Sequence, residues 1–358
     1  MPGRVGLPSD PEALDRLHER LLGWFAEHRR ELPWRGSEDE DPYALLVREI
    51  MLQQTRMSTA LPYYERWLER WPGVEDLAEA SEEEVLDAWQ GLGYYNRARW
   101  LLRTARKIRD EHGGEVPRRL SQLEQLPGVG PYTAAAIASM AFDKPAPAVD
   151  GNMARVGARV EGIEGEVTSD KLKREVRTRL GPVFERGRAG RLNEALMELG
   201  SLVCTPVDPA CEVCPLSPVC TAYQGARVDE LGIDRSTPDL STHAVTALIL
   251  ARNGQVLVHR RDPDGLLGGL WGPPVIEHGD TPPATLAPDL PFAVEVDETE
   301  PIGRVEHTFS HKRWQVRALA AEPREEVVTG EAWQWVDPAD VDVPTSALDD
   351  RVLGLLDG

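Results

Sequence analysis

Cysteine and lysine are both scarce: the 358 residues hold four cysteines, all between Cys204 and Cys220, and five lysines among 40 basic side chains. A single small group of cysteines excludes a disulfide framework as the source of stability. Long hydrophobic runs are lacking too. The longest weakly polar stretch, Tyr132 to Phe142, is alanine-rich and too short to span a bilayer. The opening residues, MPGRVGLPSDPEALDRL, have no apolar signal core, which predicts a cytoplasmic protein with no membrane partner. Positive charge is short overall, 40 Lys and Arg against 60 Asp and Glu, for a net charge of −20. Such an excess argues by default against a polyanionic partner, because phosphate neutralisation drives most nucleic-acid binding. What is present is ordinary for a globular chain: 41% hydrophobic and 28% charged residues exclude wholesale disorder. The length suits about two domains.

The acidity is uneven. Residues 1–225 carry 29 basic and 36 acidic side chains, and residues 226–358 carry 11 and 24. Arg97 to Arg109 and Lys171 to Arg179 are local basic stretches, each as readily a solvated helix face as a phosphate contact. Periodicity also divides the chain. Leu14, Leu17, Leu21, Leu22 and Phe25 recur at helical spacing. Asp41-Pro42 opens a helix predicted to run to Arg56, and Ser81 to Glu84 has capping-box spacing. Further helices fit 97–112, 131–142, 152–160, 170–180 and 191–202. The stretch 226–242 turns polar and reads as a linker. Beyond it come short β-branched runs, His243–Leu250 and Gln255–Arg260, joined by the hairpin signal Asn253-Gly254. Val305–Phe309, Trp314–Ala320 and Trp333–Val336 read as further strands. The expected organisation is an α domain over 1–225, a linker over 226–242 and a mainly β domain over 243–358.

Three local patterns carry chemistry. The cysteines are spaced Cys204-x6-Cys211-x2-Cys214-x5-Cys220, and four such thiolates suit tetrahedral zinc or an iron–sulfur cluster. Either group serves first as a structural staple. Leu126-Pro127-Gly128-Val129-Gly130-Pro131-Tyr132-Thr133-Ala134 places a Gly-x-Gly turn between helices, where free N–H groups at a helix start can face a phosphate. This is a helix-hairpin-helix pattern, with Gly128 and Gly130 as its backbone clamp. Val149-Asp150-Gly151-Asn152 puts an acid at a helix start, where capping is the plain role.

Taken together, these motifs and the cysteine spacing resemble the endonuclease III superfamily of DNA glycosylases. Arg48-Glu49-Ile50-Met51-Leu52-Gln53-Gln54-Thr55 and Gly91-Leu92-Gly93-Tyr94-Tyr95 resemble the MutY-type adenine glycosylases within it, and the likeness runs from about Leu32 to the C-terminus. The resemblance implies a helical helix-hairpin-helix domain with one 4Fe–4S cluster on Cys204, Cys211, Cys214 and Cys220, followed by an α+β MutT/Nudix-like domain. It implies a monomer that removes adenine mispaired with 8-oxoguanine or guanine in double-stranded DNA, in a nucleoid-associated setting. Glu49 would protonate the adenine, Asp150 would stabilise the cationic sugar, and Asn152 would support Asp150. Arg35, Gln53 and Gln54 would line the pocket or enter the duplex, and Tyr94 would act as a wedge, with Tyr95 the packed neighbour. Superfamily lyases carry a lysine where this chain has Tyr132, which cannot form an imine, so base excision without strand cleavage is expected.

The C-terminal part lacks the Gly-x5-Glu-x7-Arg-Glu-x-x-Glu-Glu pattern that hydrolytic Nudix domains need for magnesium, so it is expected to bind. His307-Thr308-Phe309-Ser310-His311 resembles the lesion-reading loop, with Ser310 and His311 on 8-oxoguanine. Two departures stand out: Arg48 precedes the acid where a small residue is common, and Leu267 interrupts the Gly-Leu-Trp-Gly-Gly run. The competing readings are a related mismatch glycosylase or lyase, a non-catalytic iron–sulfur protein of damaged DNA, and a Nudix hydrolase with a helical appendage.

Overall fold

Side-chain caps set the starts of the first helices. In the computed structural model, which describes residues 6–35, 41–234, 240–262, 265–278, 290–309, 312–327 and 329–356, Asp10 caps α1 (Pro11–His28) by accepting from the Ala13 N–H. The expected stripe of Leu14, Leu17, Leu21, Leu22 and Phe25 is buried along it. Asp41 caps α2 (Pro42–Met51), whose first residue is proline. There follow α3 (Met57–Arg70), α4 (Val74–Glu79) and α5 (Glu82–Ala88), the last opened by a Ser81–Glu84 capping box. Then come α6 (Asn96–His112), α7 (Leu120–Leu123), α8 (Pro131–Met140), α9 (Gly151–Glu161), α10 (Asp170–Phe184), α11 (Ala189–Leu202) and α12 (Thr221–Gln224). Helix α2 stops at Met51, short of the expected Arg56. Past Leu52 the chain turns on itself, with Gln53 N–H on the Ile50 carbonyl and Thr55 N–H on the Leu52 carbonyl, both at 3.3 Å. Gln54 takes a left-handed φ of 55° there, which ends the helical ladder.

The chain divides into two compact units. One comprises Met1–Met57, Tyr64–Glu79 and Arg103–Ser236; the other comprises Ser58–Tyr63, Ala80–Leu102 and Thr237–Gly358. In the first, α1, α9, α10 and α11 share a core that includes Phe25, Met153, Val176, Leu180, Leu196 and Leu199. Two glycines of α11 let it approach its neighbours closely. A Cβ on Gly190 would lie 2.8 Å from the Met140 Cα, and one on Gly200 would lie 3.0 Å from the Asn152 carbonyl oxygen. Helix α11 therefore holds the end of α8 and the start of α9. The expected linker at 226 starts inside this unit. Leu231 is buried in the same core, and the Ile233 carbonyl accepts from Val167 N–H at 3.2 Å.

In the second unit the sheet contains β1 (Ser241–Arg252), β2 (Gln255–Arg260), β3 (Trp271–Gly272), β4 (Val275–Glu277), β5 (Val294–Val296), β6 (Gly303–Thr308), β7 (Lys312–Pro323) and β8 (Trp333–Val336). β1 and β7 pair in parallel from Ser241–Lys312 to Leu250–Ala321, and the other pairings are antiparallel. The β1–β2 hairpin turns at Asn253 and Gly254, both with positive φ, as that dipeptide predicts. Side chains alternate along β1. Val245, Ala247 and Ile249 pack with Trp314, Val316 and Leu348 of α13 (Ala347–Leu353), while Leu248 and Leu250 pack with Leu257 on the other face. Arg261 makes a buried two-point ion pair with Asp349, at 2.9 and 2.5 Å. Sequence reading missed β3, β4 and β5, whose two or three residues are too short for a readable alternation. Within the Pro273–His278 stretch, Val275–Glu277 form β4. Leu267 has a φ of 58°, so the residue that breaks the expected glycine run occupies a conformation glycine would take freely. Among the described residues no helix is long and apolar enough to cross a membrane.

The tight α11–α9 crossing yields a test. Gly200→Ala should lower stability by about 1–3 kcal/mol, the usual cost of overpacking. Urea unfolding measures it, and an unchanged midpoint would show that the crossing has slack.

Candidate active site

Helix α2 presents two adjacent charges inward. Arg48 and Glu49 are both buried, and Arg48 donates to one carboxylate oxygen of Glu49 at 3.1 Å. The Arg48 guanidinium also lies over the Trp34 ring, 5.1 Å from its centroid, and touches the Met140 sulfur at 3.4 Å. The departure at Arg48 thus has a concrete effect: it places a cation against the candidate acid. Glu49's other oxygen accepts from the Tyr132 hydroxyl at 3.1 Å. Tyr132 stands in the first turn of α8, just after the Gly-x-Gly turn. Burial, reinforced by the charges of Glu49 and Asp150, pushes its phenol well above the ordinary range, so it remains a protonated donor at neutral pH. Its hydroxyl therefore feels both candidate carboxylates.

Asp150 is the N-cap of α9 and accepts from the Met153 N–H at 2.7 Å. Burial raises its carboxyl above the ordinary value, against the hydrogen bond from Met153, the charge of Arg155 and the amide of Asn152. The Asn152 amide donates to Asp150 at 3.3 Å and accepts from Arg155 at 2.8 Å. Capping and site geometry thus coincide at Asp150.

The turn before α8 is organised by Gly128, whose φ is 75°, and by Gly130, the residue that caps α8. The Gln53 side-chain amide donates to the Gly128 carbonyl at 3.1 Å, and Thr104 donates to the Pro127 carbonyl at 2.8 Å. Gln54 is exposed on its left-handed turn. Arg35 is sunk in an ion-pair group with Glu194 at 2.9 Å and Glu198 at 3.2 Å. Burial alone would push the Glu198 carboxyl up, but hydrogen bonds from Arg30 and Arg35 overrule it and hold it at about 2. Tyr94 belongs to the second unit, where it is 43% exposed with a φ of 51°. Ser310 and His311 lie outside the described residues.

Among the described residues, no three His, Cys, Asp or Glu side chains stand close enough to hold one metal ion. Cys204, Cys211, Cys214 and Cys220 instead line one cavity, whose remaining wall includes Val156, Val203 and Leu216. Burial raises the thiols of Cys211 and Cys220, and pushes that of Cys214 up to about 12. Two arginines of α9 hold the start of this loop. Arg155 donates to the Cys204 carbonyl at 2.7 Å, and Arg159 donates to the Thr205 carbonyl at 2.7 Å and the Cys204 sulfur at 3.4 Å.

Sequence reasoning missed Glu194, Glu198, Arg155 and Arg159. Each pair has i, i+4 spacing on a helix whose neighbouring positions, Asn193 apart, are apolar, which was a readable sign of inward charges awaiting partners.

Residues 47–182 match the family described as HhH-GPD superfamily base excision DNA repair protein, and residues 245–354 match the NUDIX domain family. The adenine DNA glycosylase of Mus musculus is 43% identical over 244 residues, covering 66% of this chain and 47% of that protein. The chain thus matches about half the length of that relative. The adenine DNA glycosylase of Rattus norvegicus is 34% identical over an alignment of 386 positions, covering 91% of this chain and 75% of that protein. A solved structure of a thermostable thymine-DNA glycosylase is 30% identical with a TM-score of 0.51, over 59% of this chain and 97% of that one. The first part therefore has the helix-hairpin-helix glycosylase fold, and the C-terminal part is Nudix-like with a mixed sheet.

Asp150→Asn separates charge from capping, since asparagine caps as well as aspartate. A carboxyl raised by burial contributes stability that is full below its unfolded value and is lost as pH rises through its folded one. The variant should resist urea better than the wild type at neutral pH, with the gain vanishing near about pH 3, where both forms are neutral. A lower midpoint at neutral pH would contradict the burial argument.

Proposed function

The chain belongs to the adenine DNA glycosylases, and from that membership we propose that it hydrolyses the N-glycosidic bond of adenine mispaired with 8-oxoguanine or guanine in double-stranded DNA. The observation that carries the reading is the hydrogen bond from the Tyr132 hydroxyl to Glu49, with the charge of Asp150 acting on the same phenol. Adenine is a poor leaving group until its ring is protonated, and its departure leaves an oxocarbenium-like sugar. Glu49, oriented by Arg48 and Tyr132, supplies the proton. Asp150 faces the developing positive charge. A carboxylate that is costly in a water-poor site gains most when a cation forms beside it, so the interaction strengthens toward the transition state. Asn152 and the first turn of α9 fix its direction.

Tyr132 offers no amine, so the reaction stops at the abasic site and leaves the strand intact. Extruding adenine opens the stack, and Tyr94, exposed and left-handed, serves as the wedge that enters it. Gly128, Gly130 and the start of α8 hold the strand backbone. Ser310 and His311 read the lesion. The protein works as a monomer in the cytoplasm at the nucleoid.

The four cysteines fit one 4Fe–4S cluster. They line a single cavity together with Val156, Arg159, Val203 and Leu216, and four thiols are the donor set such a cluster takes. Bound there, the cluster supplies a cross-link within 204–220, while Arg155 and Arg159 tie that loop to α9.

Single-turnover excision on duplexes with adenine opposite 8-oxoguanine, guanine or thymine tests the reading. The order expected is 8-oxoguanine, then guanine, then thymine. Glu49→Gln should slow excision by roughly 10²–10⁴-fold, the worth of a general acid, and full activity would remove Glu49 from the role. Joint alanine replacement of Ser310 and His311 should shrink the 8-oxoguanine-to-guanine ratio; an unchanged ratio places lesion reading elsewhere. Iron analysis should find about four irons per chain, and zinc instead would refute the cluster.

A further inference from the structure

The loop between α5 and α6 holds Tyr94 in a conformation its side chain disfavours. Gly91 and Gly93 have φ of 89° and 74°, and Tyr94 follows at 51°, the left-handed region that L side chains rarely enter. Such strain persists only where the surroundings over-determine it. Here the surroundings come from two directions. Within the loop, the Trp89 indole and the Arg97 guanidinium both donate to the Gly93 carbonyl at 2.9 Å, and Arg97 lies over the Trp89 and Tyr94 rings. From the C-terminal part of the same unit comes Thr345, fully buried, just ahead of α13. The Tyr95 hydroxyl accepts from the Gly91 N–H at 3.2 Å and donates to the Thr345 carbonyl at 3.1 Å. The Gln90 amide donates to the Thr345 hydroxyl at 3.0 Å, and that hydroxyl donates to Asp350. Arg99, about one helical turn past Tyr95, reaches the Gly268 carbonyl and Glu82.

We propose that Tyr95 is a positioning residue for Tyr94: its hydroxyl links the Gly91 N–H to the Thr345 carbonyl, and so the C-terminal part of the chain presets the wedge. The inference rests on the reading of Tyr94 as the residue that enters the duplex. It gives the C-terminal part a second task beside lesion reading. Burial pushes the Tyr95 phenol up to about 12, so its proton is retained for the carbonyl across the physiological range. Preorganisation of this kind removes an ordering cost from the step in which the base leaves the stack.

A double-mutant cycle tests it in the full-length protein: Tyr95→Phe, Tyr94→Ala and the pair together. Phenylalanine keeps the packed ring and deletes only the hydroxyl. Single-turnover excision is measured with the fluorescence of 2-aminopurine beside the mispair, which reports unstacking. Tyr95→Phe should slow excision by roughly 10-fold to 100-fold, as a small misplacement does, and should reduce the fluorescence rise. In the Tyr94→Ala background, the same change should have no further effect on either readout. Equal losses in both backgrounds, or a Tyr95→Phe variant with wild-type rate and fluorescence, would overturn the proposal. Gln90→Ala, which removes the donor to the Thr345 hydroxyl, provides a second perturbation of the link and should follow the same pattern. If the wild type excises no adenine, the proposed function fails, and the fluorescence arm alone still decides whether Tyr95 positions Tyr94.

Discussion

The hydrogen bond from the Met153 N–H to Asp150 fixes the start of α9, and much of the candidate site hangs from that start. It satisfies an orphan donor of the helix and anchors a carboxylate that burial makes costly to charge. Two residues along, Asn152 bridges Asp150 to Arg155; about one and two turns further on, Arg155 and Arg159 reach the Cys204 segment. Gly200 allows α11 to lie against the Asn152 backbone. Shifting the first turn of α9 would therefore move a carboxylate, an amide and the start of the cysteine loop together. A short polar chain through a helical interior is stiff because each member leaves its neighbour unsatisfied if it moves.

Legibility in the sequence followed the range of the interactions. Local ones were readable: the stripe on α1, the caps Asp41, Ser81 and Asp150, the Asn253-Gly254 hairpin and the cysteine spacing all depend on residues a few positions apart. The Nudix-like part was readable as strands wherever a strand reached four residues. Interactions across long separations were not readable. Glu198 meets Arg30 from 168 positions away, and Tyr95 meets Thr345 from 250. No periodicity announces such partners. The stretch 80–102 shows the consequence: by pattern it continues the helical domain, yet in the fold it groups with the sheet. The end of α2 was misread for a different reason, since nothing in Gln53-Gln54-Thr55 forbids a helix and only the turn itself reveals the break.

The acidity takes on another sense once the arginines are placed. Arg48, Arg97, Arg99, Arg155, Arg159 and Arg261 are all buried. Several bond backbone carbonyls from two or more guanidinium nitrogens, a task that suits a planar fork and not a lysine ammonium. Part of the positive charge is thus spent on structure, and net charge says little about the DNA-facing surface. Backbone groups at Gly128 and the start of α8 need no net charge to receive a phosphate.

On the proposed function, Glu49 and Asp150 remove the base while Tyr132 leaves the strand whole. Product analysis on a duplex with one adenine opposite 8-oxoguanine tests it most directly, with free adenine, strand breaks and borohydride-trapped complex quantified in the same reaction. The expected products are stoichiometric free adenine, breaks only after alkali and no trapped complex. Strand breaks before alkali accompanied by a trapped protein–DNA complex, or an absence of free adenine, would contradict it.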